Sequence, residues 1–335
     1  MKPDPKSLSN SEARSATRTG ALAALWHNMS VQDYAIIAYQ SYLLLRAFSA
    51  PDSDDAQIAR RVSLFLFTVA LSTIAVVRGE LLPKGKTRAI IYRVGGFGSM
   101  LSSYFLMRWL VPSLQQPLLD GELLAIDQAI FVVTPSVWLA QFNDLHTVEW
   151  FAFFYYSYFY MMGVLLIPTM FFDRGKRPIE LLGGALTVCA LGHIGYTLVP
   201  GYGPFAYLEF AEPVNGGFWW DSVIATVHSG GAMMDIFPSL HTAYPTFFTL
   251  YAFGNRKFPV YRYLWPVLAF FTANIIIATM FLRWHWGIDV IFGLLLAVTA
   301  RLAGLWLASR DGRRGTTEDN RQPIWEPLFN YQKDR

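Results

Sequence analysis

Apolar residues in this chain gather into eight blocks, at about residues 34–49, 62–77, 89–111, 149–172, 179–199, 239–254, 260–282 and 287–308. A hydrocarbon layer about 30 Å thick is crossed by about 20 helical residues. The third, fourth, fifth, seventh and eighth blocks meet that length. The first, second and sixth are short and need flanking residues, and the first carries Arg46. The pattern predicts an all-α fold, a polytopic membrane helix bundle of about eight transmembrane helices. Glycines and prolines inside the blocks, among them Gly95, Gly183, Gly184, Pro168 and Pro245, suit close helix contacts and kinks. Residues 1–30 are polar and rich in Ser, Ala and Arg, without an apolar core behind a basic start. They are expected to form a disordered tail rather than a cleavable signal.

Composition supports the membrane reading. Of 335 residues, 53% are hydrophobic and only 15% charged, too few charges to cover a soluble protein of this size. A disordered regulator, a coiled coil and a secreted disulfide scaffold are excluded. The single Cys189 lies in an apolar stretch as a small packing residue. The net charge of +3 says little, but its placement orients the chain. Twenty of the 27 Lys and Arg residues fall in segments 1–33, 78–88, 173–177, 255–262 and the tail beyond 308. The connections 112–148 and 200–238 contain none. Bases mark the cytoplasmic side, so both termini are expected there and the base-free connections on the extracytoplasmic (periplasmic or lumenal) side.

Two stretches place ionisable residues at the outer helix ends. In Phe237-Pro238-Ser239-Leu240-His241, Ser239 suits the N-cap of the sixth helix. The amides from Leu240 to Thr242 would then direct the positive end of the helix dipole at an anion, with the proton donor His241 beside it. The same residues also fit a plain helix cap and an interfacial histidine. In Arg283-Trp284-His285-Trp286-Gly287-Ile288-Asp289, His285 and Asp289 are four apart and share a helix face. The carboxylate can hold one ring nitrogen while the other stays free as a nucleophile. An acid just inside an apolar helix is costly and needs a partner. Arg283 suits either a phosphate clamp or a side chain snorkelling to headgroups.

Pro-Ser-x-His opening one helix and His-x-x-x-Asp opening another about forty residues on resemble the type 2 phosphatidic acid phosphatase superfamily. Leu240 within Pro238-Ser239-Leu240-His241 makes the chain more similar to the inositolphosphotransferase branch, which includes inositol phosphorylceramide synthases. So do Pro200-Gly201-Tyr202-Gly203-Pro204 and the run Leu123 to Trp138, where Asp127, Pro135 and Trp138 suit a re-entrant or interfacial segment. The resemblance covers about residues 119–305 and implies a six-helix phosphatase-like catalytic core. It implies that His285 attacks phosphorus to form a phosphohistidine, that Asp289 orients its ring, and that His241 protonates the leaving oxygen and then activates the acceptor. Ser239, Leu240 and Arg283 would hold phosphate oxygens, with no metal and no cofactor. The donor would be a lipid phosphate or phospholipid and the acceptor water or a lipid hydroxyl at the bilayer, with no nucleic acid involved. Two departures stand out. The family's first motif, Lys followed seven residues later by Arg-Pro, is absent, since Arg177-Pro178 is cytoplasmic and lacks that lysine; and Thr279 stands where an Arg precedes the nucleophile.

The expected layout is a tail at 1–30, N-terminal transmembrane helices at 31–112 that look peripheral to the chemistry, a catalytic membrane domain at 113–308 and a cytoplasmic tail at 309–335. A lipid phosphate phosphatase releasing phosphate to water is the alternative reading, and a non-enzymatic transporter is a further one. A transporter would spread ionisable residues along several helices, whereas here they gather at one face. A metal hydrolase lacks a convincing ligand set. His146 and His228 are expected to be solvated loop residues and His193 a packed core histidine. Trp219, Trp220, Trp284 and Trp286 are expected at the outer headgroup level. Tyr155, Tyr156, Tyr158, Phe159 and Tyr160 suit either a lipid path or packing.

Overall fold

The computed structural model describes residues 20–329, and among them every regular element is helical. The helices are α1 (Val31–Ser49), α2 (Asp54–Arg78), α3 (Lys86–Ile91), α4 (Gly98–Ser113), α5 (Asp120–Phe131), α6 (Pro135–Leu139) and α7 (Leu145–Phe172). They continue as α8 (Lys176–Leu198), α9 (Pro204–Tyr207), α10 (Phe218–Gly230), α11 (Leu240–Gly254), α12 (Pro259–Phe281) and α13 (Gly287–Asp311). All eight apolar blocks become helix. A π-helical stretch, Tyr92–Phe97, joins α3 to α4. Five helices, α2, α7, α8, α12 and α13, are by themselves long and apolar enough to cross a membrane, and the bent pair α5 and α6 would make six. That pair, bent by 71°, is the segment the sequence marks as re-entrant or interfacial.

Local chemistry starts the helices. Ser30 and Asp33 form a reciprocal capping box on α1. Ser53 caps α2, and Asp144 accepts from the amides of His146 and Thr147 at the start of α7. Packing then sets their arrangement. α8 is central, with most of its residues buried, and lies against α11, α13, α7 and α4. Gly184 permits a close approach: a Cβ there would come within 2.2 Å of the Phe247 ring and 3.0 Å of the Ala300 carbonyl. In hydrocarbon, where lipid competes for every apolar contact, such close fit is what holds helices together.

The two ends of the bundle differ. At one, the basic connections meet the tail that follows α13. Arg78 pairs with Asp33 at 2.8 Å, both buried. Arg88 pairs with Glu326, Arg314 reaches the Asn28 carbonyl, and Trp325 packs edge-on to Tyr92. Residues 312–329 thus form a strap under the bundle rather than a loose tail. At the other end the two base-free connections join: the Leu119 amide donates to the Pro200 carbonyl and Asn143 to the Pro213 carbonyl.

Two expectations are corrected. Residues 20–28 are helical, not a disordered tail: the run Ala21-Leu22-Ala23-Ala24-Leu25 consists of strong helix formers, and buried Asn28 anchors its end to the Arg78 carbonyl and the Gln322 amide. The expectation for residues 1–19 lies outside the described residues. Three of the four tryptophans face the protein interior rather than headgroups, since Trp286 is fully buried and Trp284 and Trp220 are 6% exposed, whereas Trp219 is half-buried. Their rings fill the interior beneath the base-free end.

Candidate active site

The two histidine motifs meet because the ends of α11 and α13 are tied directly. The Ser239 amide donates to the Asp289 carbonyl at 3.1 Å, while Ser239 Oγ accepts from the Thr242 amide as the N-cap of α11. Both Ser239 and Asp289 are wholly buried. The His241 and His285 rings stand 6.3 Å apart, centre to centre, on one cavity.

His285 sits in a tight turn between α12 and α13. Arg283 is left-handed there (φ 68°), and the Trp284 and His285 amides both donate to the Thr279 carbonyl, at 3.0 and 3.1 Å. Thr279, the residue that departs from the family pattern, therefore seats the turn through its backbone. Asp289 lies behind the ring, with Oδ2 at 3.4 Å from His285 Nδ1 and at 2.9 Å from the Trp286 amide that donates to it. This arrangement leaves Nε2 as the ring nitrogen turned from the carboxylate. His241 is sandwiched by tyrosines, with Tyr155 stacked at 4.2 Å and Tyr158 at 4.3 Å, and its buried Nε2 has no hydrogen-bond partner among the described residues.

Two acids of α5 hold this turn from outside. Asp127 accepts from the Gly287 and Ile288 amides, at 2.9 and 2.8 Å, satisfying the first donors of α13. Asp120 accepts from the Tyr202 and Gly203 amides at 2.8 Å each and from the Trp286 indole at 3.2 Å. The Pro200–Pro204 turn is thereby pressed on the histidine turn. Gly203 has φ 77°, and a Cβ there would lie 2.4 Å from the Trp284 carbonyl, so only glycine fits. The Phe205 amide completes the join to the Arg283 carbonyl.

The cavity has a volume of about 260 Å³. Tyr155, Tyr156, Tyr158 and Phe159 of α7 line it, whereas Tyr160 faces outward. The helix α10 forms part of its cover through Val223, Thr226 and Val227. Glu149 receives the Gly217, Trp219 and Trp220 amides at the start of α10, and Arg108 holds the Ser229 carbonyl near its end. The N-terminal helices are not peripheral, because Leu101, Tyr104 and Phe105 of α4 form one wall. Asp235 also faces the cavity, and burial holds its carboxyl above the ordinary carboxylate range.

Of the expected site residues, His241, His285 and Leu240 line the cavity, with Asp289 and Ser239 directly behind. Arg283 does not: its guanidinium lies 3.7 Å over the Phe210 ring and donates to the Glu212 carbonyl at 2.9 Å. The left-handed backbone at Arg283 turns this side chain towards the 208–212 loop, so the structure does not bring it to the histidines. His193 is the packed core residue expected, bonded to Tyr39 Oη at 2.5 Å, and it also reaches the cavity wall. His146 and His228 are exposed, on the first turn of α7 and on α10 rather than in loops. Sequence reasoning missed Asp120 and Asp235 and gave Asp127 no role. The first and last of these stand seven apart, two turns on one face of an apolar helix, a legible signal.

Buried His285 with a carboxylate behind its ring, and half-buried His241 with tyrosines around its own, share one cavity inside the helix bundle. The model of the PAP2 superfamily matches residues 121–303, and the chain belongs to that superfamily, an integral membrane enzyme of the phosphatase and phosphotransferase type acting on lipid phosphates. No curated protein and no solved structure matches the chain.

Proposed function

We propose that this chain transfers a phospho-alcohol headgroup from a phospholipid to a lipid hydroxyl through a phosphohistidine on His285. The observation that carries the reading is the placement of the two imidazoles, 6.3 Å apart on one cavity, with Asp289 3.4 Å behind His285. Reacting atoms approach to about 3–3.5 Å before bonds change, so one phosphorus fits between the rings. His285 Nε2 attacks it, an N–P bond forms, and the P–O bond to the departing alcohol breaks. The electron pair stays on that oxygen, which takes a proton from His241. In the second step the acceptor hydroxyl gives its proton to His241, its oxygen bonds to phosphorus, and the N–P pair returns to His285. Asp289 stabilises the imidazolium and keeps the reactive nitrogen forward. The start of α11, with Ser239 and Leu240, offers its dipole to the non-bridging oxygens.

Phosphoinositol is the headgroup supported by the likeness of Pro238-Ser239-Leu240-His241 and the Pro200–Pro204 turn to inositolphosphotransferases. The base-free 200–238 connection lines the cavity through Tyr202, Asp235 and Ile236, and the basic segments gather at the far end of the bundle. The positive-inside rule therefore assigns the active site to the extracytoplasmic face, with cytoplasmic termini. The test is incubation of purified protein with labelled phosphatidylinositol or phosphatidate, with and without ceramide or diacylglycerol. A new acceptor-dependent lipid supports transfer. Free phosphate without any new lipid makes the chain a phosphatase instead.

A further inference from the structure

Sites that bind phosphate usually surround it with cationic donors. This cavity does the reverse. Among the described residues no Lys or Arg lines it, and its one acidic wall residue is Asp235. The nearby arginines are otherwise engaged: Arg283 with Phe210 and the Glu212 carbonyl, Arg108 with the Ser229 carbonyl. Asp235 belongs to the connection from α10 to α11 and forms no ion pair among the described residues. Its carboxylate converges with the Tyr104 hydroxyl at Gly231, where a Cβ would lie 3.0 and 3.1 Å from the carboxylate oxygens and 3.2 Å from Tyr104 Oη. It shares this small apolar space with His285 and His241, so a bound phosphate would feel its charge with little solvent screening.

We propose that Asp235 is a specificity-determining charge filter, admitting lipid phosphodiesters and rejecting phosphomonoesters. The inference rests on the reading of His285 and His241 as the phosphoryl-transfer pair. A phosphodiester carries one negative charge, while a monoester near neutral pH carries about 1.5 to 2. Each is repelled by the carboxylate in proportion to its charge. While Asp235 is ionised, at an effective dielectric of about 20 and a separation of up to about 10 Å, one additional charge corresponds to a penalty of about tenfold or more in binding. The filter thus favours headgroup transfer over release of free phosphate from a monoester. It acts on any lipid diester, whether the headgroup is a polyol or an ammonium alcohol.

The test uses the full chain in detergent micelles with phosphatidylinositol, phosphatidylcholine and phosphatidate as separate donors, each with ceramide or diacylglycerol as acceptor. The wild type should turn over one of the diesters with a higher kcat/KM than phosphatidate. In Asp235→Asn the ratio of diester to monoester kcat/KM should fall by about tenfold or more, mainly because KM for phosphatidate drops. Asp235→Glu, which retains the charge, should keep the wild-type preference. An unchanged ratio in Asp235→Asn overturns the proposal. So does a wild type that prefers phosphatidate, a result that needs no variant to fold. The underlying mechanism is read separately with His285→Ala: retained turnover of every donor would refute the phosphohistidine reading, whatever Asp235 does.

Discussion

Replacing Asp127 tests whether the nucleophile is held from outside the two histidine motifs. Its buried carboxylate accepts the Gly287 and Ile288 amides at 2.9 and 2.8 Å, and these are the first two donors of α13, directly after His285 and Trp286. Hydrogen bonds to a charged acceptor contribute about 1.5–3 kcal/mol each, and losing a helix cap costs about 0.5–2 kcal/mol. The contributions overlap, so Asp127→Ala should lose about 3–5 kcal/mol, a large part of a typical total of about 5–15 kcal/mol. Asp127→Asn keeps one carbonyl acceptor and should lose about half as much. Thermal unfolding in detergent reads the stability. Steady-state turnover well below the transition reads the site, where a loosened α13 start displaces the His285 ring from Asp289 and lowers kcat more than it raises KM. An Asp127→Ala protein with the wild-type transition temperature and wild-type kcat would refute the claim that α5 seats the nucleophile.

His285→Ala should abolish turnover and trap no phosphoenzyme, whereas His241→Ala should slow turnover by about 10²–10⁴-fold and let the acid-labile phosphoenzyme accumulate in a quench assay; full activity in either removes that residue from the mechanism. Gly203→Val should destabilise the protein by about 2 kcal/mol or more, since the side chain must enter a backbone contact with Trp284 at positive φ; an unshifted melting curve would contradict this. A reagent unable to cross membranes should label Asn215→Cys in intact cells, and protection there would reverse the proposed orientation. Burial raises the pKa of Asp235, so its charge is present only above that raised value and is lost at a higher pH than for an ordinary carboxylate. Tyr104, Tyr155, Tyr196 and His285 interact with it electrostatically. The diester preference should therefore weaken as pH falls, more steeply than in Asp235→Asn, which controls for protonation of the monoester; parallel profiles would exclude Asp235 as the cause.

Much of the proposed site was legible because it is local. His285 and Asp289 share a helix face through i,i+4 spacing, and Ser239 precedes an apolar run as an N-cap should. Arg283 was misplaced by the same local reasoning. Two residues from the nucleophile it is a natural clamp on paper, but a left-handed φ of 68° turns it onto Phe210. No pattern of residue types reveals a single positive φ at a non-glycine position. The tryptophans went astray similarly, because composition does not distinguish an aromatic at the headgroup level from one filling the space under a loop.

Sequence alone determined the all-helical membrane architecture, the uneven placement of its bases and the identity of the chemical groups. These follow from the length of apolar blocks, from charge placement and from short-range geometry, each a property of neighbouring residues. Tertiary structure alone decided how those groups are supplied with a site. It brought Asp120 and Asp127 of α5 onto the His285 turn, placed Tyr104 of α4 in the wall, withdrew Arg283 and left Asp235 facing the cavity. Each of these depends on which helices touch. That choice is made by close packing over the whole bundle, which no window along the chain contains.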